Sequence, residues 1–194
     1  FTLSEAVDGA GREFQSIFGI IIGTGFGGGL SYKKEIIEGA NQIAGDWGHQ
    51  PLPYPTEEEI KTHIKCPSSN CGRPLCAEQF MSGIGFTNIF NAKNNTNFNS
   101  EEIVKLDIKN DKRAEREFEL YEDRMARLIA VMIGIFDPDA IILGGGMSNI
   151  ERFYKNIPSL IPKYTFSNKV KTKVLKNLHG DSSGVRGAAW LWNE

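Results

Sequence analysis

Phe18-Gly19-Ile20-Ile21-Ile22-Gly23-Thr24-Gly25-Phe26-Gly27-Gly28-Gly29 is the stretch that decides the fold. Its first half is apolar and β-branched, which reads as a strand. Its second half, 23–29, reads as a glycine-rich turn. Bare glycines let backbone N–H groups approach an anion closely, and successive amides form an anion-binding nest. This is not a Walker loop, because no Gly-Lys-Ser/Thr follows. Leu30 to Ile37 reads as the return strand of a hairpin rather than a helix, which argues against a dinucleotide fingerprint. Taken alone, the stretch is equally readable as a glycine-rich hairpin without a ligand.

A second strand-to-glycine junction lies far downstream. Ala140 to Leu143 reads as a buried strand and runs into Gly144-Gly145-Gly146-Met147, with Ser148 or Asn149 placed to cap a following helix. Open space at such a strand end accepts a flat ring against bare backbone. Two turns of this kind point to one shared nucleotide cleft more strongly than either does alone.

Around these junctions the pattern predicts helices over Phe1–Ala10, Glu78–Phe90, Glu115–Phe136 and Gly184–Trp192, and a further strand over Val170–Leu175. In the third helix Phe118, Tyr121, Met125, Leu128, Ile129, Met132 and Ile135 recur at three- and four-residue steps. Gly39–Pro53 and Pro55–Cys76 read as irregular, and Asn91–Asn99 as a polar surface loop. Strands alternating with helices imply an α/β domain.

With 22 basic and 24 acidic residues the net charge is −2. That balance gives no support for nucleic acid or an anionic membrane as a partner. No apolar run approaches the roughly 20 residues of a membrane span. The chain opens on Phe1-Thr-Leu-Ser-Glu-Ala6, which reads as the middle of a helix, so an upstream part is expected.

All three cysteines, Cys66, Cys71 and Cys76, fall in one short stretch. Clustering of an odd number argues for a metal site over a disulfide framework. With His49 they make a Cys₃His set that suits Zn²⁺ in a closed, structural site; His63 is a rival for the histidine position. Asp46, the second nitrogen of His49, and Glu78 are placed to meet one polyol, since carboxylates accept hydrogen bonds from vicinal hydroxyls. Zinc at such a site would also fix the His49 tautomer.

Gly23-Thr-Gly-Phe-Gly-Gly-Gly29, Ala44-Gly-Asp-Trp-Gly-His49, Cys71-Gly-Arg-Pro-Leu-Cys76-Ala-Glu78 and Leu143-Gly-Gly-Gly146 together resemble the ROK family of sugar kinases and regulators, in order and over essentially the whole chain. The resemblance implies an actin-like, ribonuclease-H-like ATPase fold with a zinc-binding loop insert at about 45–80. It places a phosphate-binding turn on Gly25, Phe26, Gly27, Gly28, Gly29, Leu30, Ser31 and Tyr32, entered through Gly23 and Thr24. An adenosine-side turn falls on Gly144, Gly145, Gly146 and Met147. Sugar contacts fall on Asp46, His49 and Glu78, and zinc ligands on His49, Cys66, Cys71 and Cys76. The family's catalytic Asp is expected just before Phe1.

ATP, Mg²⁺ and structural Zn²⁺ are the implied cofactors, a hexose the substrate, and a cytoplasmic homodimer the implied setting. Leu3–Ala10, Gly45–Pro53 and His179–Trp192 look most like bacterial fructokinases (mannofructokinases), with N-acetylglucosamine kinases and sugar-binding repressors of the family as rivals. The chain departs from the family pattern in three places: Asp46 stands for the usual Glu, the Cys66–Cys71 spacing is stretched, and Leu75 replaces a Gly.

Overall fold

The computed structural model describes residues 1–62, 71–180 and 183–191. Cys66 and His63 therefore lie outside the described residues. The sheet is built from β1 (Ser16–Ile22), β2 (Phe26–Tyr32), β3 (Glu35–Ile36), β4 (Ala140–Gly144) and β5 (Lys173–Lys176), in the order β3-β2-β1-β4-β5. β1 and β2 form an antiparallel hairpin, and β1 pairs parallel with β4, which pairs parallel with β5.

Strand parity divides the core. Phe18, Ile20 and Ile22 of β1 and Ile141 and Leu143 of β4 share one buried cluster, while Ile17, Ala140 and Ile142 point the other way into a second. Side chains alternate faces along a strand, so an unbroken apolar run means a strand covered on both sides. On one face lie α3 (Ala77–Met81), α4 (Gly83–Asn94), α6 (Lys112–Phe136) and α7 (Arg152–Leu160). On the other lies α1 (Thr2–Val7), packed against α8 (Ser183–Trp190). Here α1 comes close because the strands are bare: a Cβ at Gly19 would stand 2.3 Å from Thr2 Oγ1, and one at Gly144 2.4 Å from the Phe1 ring. Among the described residues no helix is long and apolar enough to cross a membrane.

The long helix forms where its periodicity predicts. Its start is capped by Asp111, whose side chain accepts from Arg113 N–H, and it stops at Asp137 in the left-handed region before Pro138. Its predicted face is buried, except that Ile135 is 78% exposed. Ile135 sits in the last turn, where its neighbours Ile133 and Phe136 turn to the core instead.

Four expectations need correction. The 78–90 helix is two helices, divided at Ser82, which is extended (ψ 156°) and caps Gly85 N–H at 3.0 Å. The second of them runs on to Asn94, into the stretch read as loop. Residues 100–108, left unassigned in the sequence, form α5 (Ser100–Ile108), started by a reciprocal capping box between Asn99 and Glu102. Ser148 and Asn149 cap nothing: they lie in a short 3₁₀ turn, and α7 begins without a side-chain cap. The last strand begins at Lys173 rather than Val170.

Candidate functional site

The predicted turn over 23–29 is shorter than its glycines suggest. Only 23–25 bends; Phe26 to Tyr32 is strand, paired residue for residue with β1 from Ile22↔Phe26 to Ser16↔Tyr32. Two of its glycines, Gly28 and Gly29, serve packing. The Phe18 ring covers Gly28, and a Cβ on Gly45 would come within 2.7 Å of Gly29 Cα. Ser31 is buried and Tyr32 exposed at the far end of the strand.

The parallel β1–β4 register brings the two glycine junctions to the same edge. Ile21 pairs with Gly144, so the chain leaves both strands side by side. Gly145 has φ +81°, and a Cβ there would stand 2.5 Å from Ile22 O, so this position is glycine for reasons of fold. Gly23 and Gly146 differ: a Cβ on either would meet nothing within 4 Å, and neither is among the positive-φ glycines. Gly23, Thr24, Gly146 and Met147 line one open cavity of about 700 Å³, flanked by Gly83, Ile84 and the α5 residues Ser100, Val104, Lys105 and Ile108. Gly25, Phe26 to Tyr32, Gly144 and Gly145 do not line it. The helix α5, unforeseen in the sequence, supplies a whole wall.

The loop after β3 folds back over β2. Trp47 is buried between Phe18 and Phe26, with ring centroids 4.8 Å and 5.2 Å away. Gly48 presses so close that a Cβ would stand 1.8 Å from Phe26 O. Backbone bonds then zip the loop to the residues around Cys76: Leu52 N–H to Leu75 O, Ala77 N–H to Gln50 O and Glu78 N–H to Gly48 O, each 2.8 Å. Leu75, where a Gly was expected, still holds the left-handed backbone (φ 55°) that glycine favours.

This zipper brings three predicted ligands together. One atom each from His49, Cys71 and Cys76 lies within 4.8 Å of the others, with Cys76 Sγ 3.5 Å from His49 Nδ1. The donor set is one imidazole and two sulfurs with no carboxylate, which suits a soft-to-borderline ion such as Zn²⁺. Glu78, on the buried first turn of α3, accepts Phe26 N–H at 3.1 Å; the space for its carboxylate exists because residue 25 has no Cβ. Asp46 is exposed, and its own N–H is spent on Ile43 O. Glu78 and the loop bearing Asp46 and His49 thus meet at the start of β2, next to the Gly23 turn.

Two comparisons by sequence give the family. The sequence pattern of the ROK family matches residues 1–194. The chain belongs to the ROK family. It is 35% identical over 191 residues to the N-acetyl-D-glucosamine kinase of Vibrio vulnificus, covering 98% of this chain and 63% of that protein. The chain therefore spans less than two thirds of the length of these curated relatives. In fold it matches a ROK family glucokinase from Streptomyces griseus solved with glucose and AMPPNP (TM-score 0.83, 23% identity, 98% of this chain and 64% of the other). It also matches a ROK family transcriptional regulator, a homolog of the E. coli MLC protein (TM-score 0.78, 20% identity, 97% and 48%). The mixed sheet is thus a ROK fold, while the named relatives are N-acetylglucosamine kinases rather than the fructokinases suggested by the flanking stretches.

The close seat of Gly48 on Phe26 O generates a test. Gly48→Ala should lower unfolding free energy by about 1 to 3 kcal/mol, the usual cost of forcing extra volume into a packed site. Gly27→Ala, whose Cβ meets open space, should change it by less than about 1 kcal/mol. Urea unfolding of the two variants makes the comparison.

Proposed function

We propose that this chain is the nucleotide- and sugar-holding part of an ATP-dependent hexose kinase, acting on N-acetylglucosamine ahead of other hexoses. One observation carries the reading. Two glycines that neither packing nor φ requires, Gly23 and Gly146, open onto one cavity. Open space beside a glycine is not by itself a site, but at these two positions the space is the same cavity between the two strand ends. In this reading Gly23, Thr24, Gly146 and Met147 receive ATP. Gly23 N–H is spent on Gly25 O at 3.0 Å, so the amide of Thr24 is the one assigned to the phosphates, and Mg²⁺ would supply charge neutralisation there. The apolar side chains of Ile84, Val104 and Ile108 suit the base.

Across the Gly83 N–H to Gly23 O bond of 2.8 Å, the sugar falls to Asp46, His49 and Glu78. Glu78 is oriented by Phe26 N–H, so it is assigned to binding rather than to accepting the hydroxyl proton. Asp46, one methylene shorter than the family's usual Glu, reaches a hydroxyl through a bridging water at little cost. His49, Cys71 and Cys76, with Cys66 of the undescribed segment, would hold Zn²⁺ as a structural ion. With Nδ1 on the metal side, the other ring nitrogen of His49 is left for the sugar.

The 35% identity to N-acetylglucosamine kinases over nearly the whole chain favours that sugar. A hexose panel with the longer protein tests it: N-acetylglucosamine should give the highest kcat/KM. Fructose in first place would restore the fructokinase reading, and a protein that phosphorylates nothing but leaves DNA on sugar binding would be a regulator.

Gly146→Val should leave the melting temperature nearly unchanged and weaken ATP binding at least about tenfold, near 1.4 kcal/mol, by calorimetric titration. Unchanged ATP affinity would remove the cavity from the nucleotide reading.

Purified chain should hold about one zinc. Cys76→Ser should lose it along with stability, since metal binding is coupled to folding; full loading in that variant, by elemental analysis, would refute the ligand set.

A further inference from the structure

The long helix α6 carries two buried arginines that no binding role uses. Arg124 and Arg127 are each 2% exposed. Both converge on Glu59, itself buried, in α2 (Glu57–Ile60). Arg127 Nη2 lies 2.7 Å from Glu59 Oε1, and Arg124 Nε 2.8 Å from the same oxygen. Arg127 Nη1 reaches the carbonyls of Pro53 and Tyr54, both at 2.8 Å, and Glu59 Oε2 at 3.1 Å. Its Nε stands 3.1 Å from Asp123 Oδ2 but is not aligned for a hydrogen bond. Arg124 Nη1 bonds Glu117 at 3.0 Å. These contacts hold the arm that leaves the His49 loop.

The same face of α6 holds the other arm. The Arg124 guanidinium lies over the Phe80 ring, 5.2 Å from its centre, and Tyr121 Oη donates to Met81 O at 2.8 Å. Phe80 and Met81 belong to α3, two and three residues beyond Glu78. One helix therefore grips both arms of the segment that carries His49, Cys71, Cys76 and Glu78.

A sign of tension marks the first arm. Tyr54 has φ 47° with its side chain 70% exposed, a backbone state that a bulky residue rarely adopts. Its carbonyl and that of Pro53 turn to Arg127.

We propose that Glu59, Arg124 and Arg127 are positioning residues that clamp both arms of this loop to α6 independently of any metal, setting the spacing between His49 and Glu78. The proposal rests on the sugar-and-zinc reading of that loop. A guanidinium fork suits the task because it serves two carbonyls and a carboxylate at once, which a lysine cannot. Burial pushes the Glu59 carboxyl up, but the bonds from Arg127, Thr56 N–H and Arg124 outweigh it and hold the group at about 2. The clamp is thus charged throughout the range in which enzymes are assayed.

The test uses the whole chain, with Glu59→Gln, Arg127→Lys and a core control, Ile157→Ala, whose side chain is fully buried on α7. Amide hydrogen exchange is read at Leu52, Ala77 and Glu78, whose N–H groups zip the loop shut, before and after zinc is removed with a chelator. Both clamp variants should exchange at these amides at least tenfold faster than wild type, and release zinc at least tenfold faster. Ile157→Ala should melt earlier yet leave both rates within twofold, and zinc removal alone should leave the wild-type amides protected. Wild-type rates in both clamp variants, or equal acceleration in Ile157→Ala, would overturn the clamp. So would loss of protection in wild type on zinc removal. If Glu59→Gln does not fold, Arg127→Lys, which keeps the charge, decides. A wild-type chain that never binds zinc would defeat the metal reading instead, while the exchange rates still judge the clamp.

Discussion

The parallel register of β1 against β4 is the constraint on which the candidate site depends. Parallel strands deliver their carboxyl ends to the same edge of a sheet, where open α/β sheets bind their ligands. With Ile21 opposite Gly144, two turns separated by most of the chain exit within one cavity. A slip of one residue would exchange the faces of the strand. Phe18, Ile20 and Ile22 would then face α1, which sits too close to the sheet to admit them, and the larger core under α6 would lose their side chains. The same hydrophobic parity that fixes the fold therefore fixes the geometry of the turns.

A second layer follows from the hairpin. Because β2 follows β1 without a helix between them, its glycines lie flat and invite cover. Trp47 and Gly48 supply it, and the zipper from Gly48 to Leu52 then carries His49 to Cys76. Three of the four predicted ligands thus meet through backbone pairing around Pro51 and Cys76, and a metal there would find those three donors already close together. Preassembly of this kind reduces the ordering cost on binding.

The sequence was legible where one pattern had one meaning. The periodic face of 115–136 could only be a long amphipathic helix, and the apolar runs at 18–22 and 140–143 only buried strands. It misled where glycine serves two masters: Gly27 to Gly29 read as turn, yet in the fold they are strand, with Gly28 and Gly29 bare where neighbours press on them. Helix α5 escaped notice because its leader is rich in asparagine, although Asn99 and Glu102 form a capping box that could have announced it. Of the candidate site, the gathering of His49, Cys71 and Cys76 and the two strand-end bends at 23–25 and 144–146 follow from residue type and spacing. The role of Glu59, Arg124 and Arg127 does not, because in a linear sequence they are indistinguishable from the solvated charges on either side of them.

Those buried charges raise an energetic question that their geometry answers. An ion pair taken out of water is a weak stabiliser against apolar residues of equal volume, whereas removing one partner of an existing pair costs about 3 to 5 kcal/mol. Stability alone thus gives little reason to place two arginines and a glutamate on the core side of α6. What apolar side chains cannot do is hold the backbone carbonyls of Pro53 and Tyr54 at a fixed angle. A loop without regular structure has few ladder bonds to define its path, and directional bonds from a rigid helix supply that definition. Since Glu59 is held at about 2, its contribution is full above the ordinary carboxylate range and is lost only as pH falls toward that value. Metal affinity, by contrast, depends on thiol and imidazole deprotonation and weakens at mildly acid pH. On the zinc reading, the two attachments of the loop would therefore fail under different conditions, and a loop stripped of metal by mild acid would still be seated on α6.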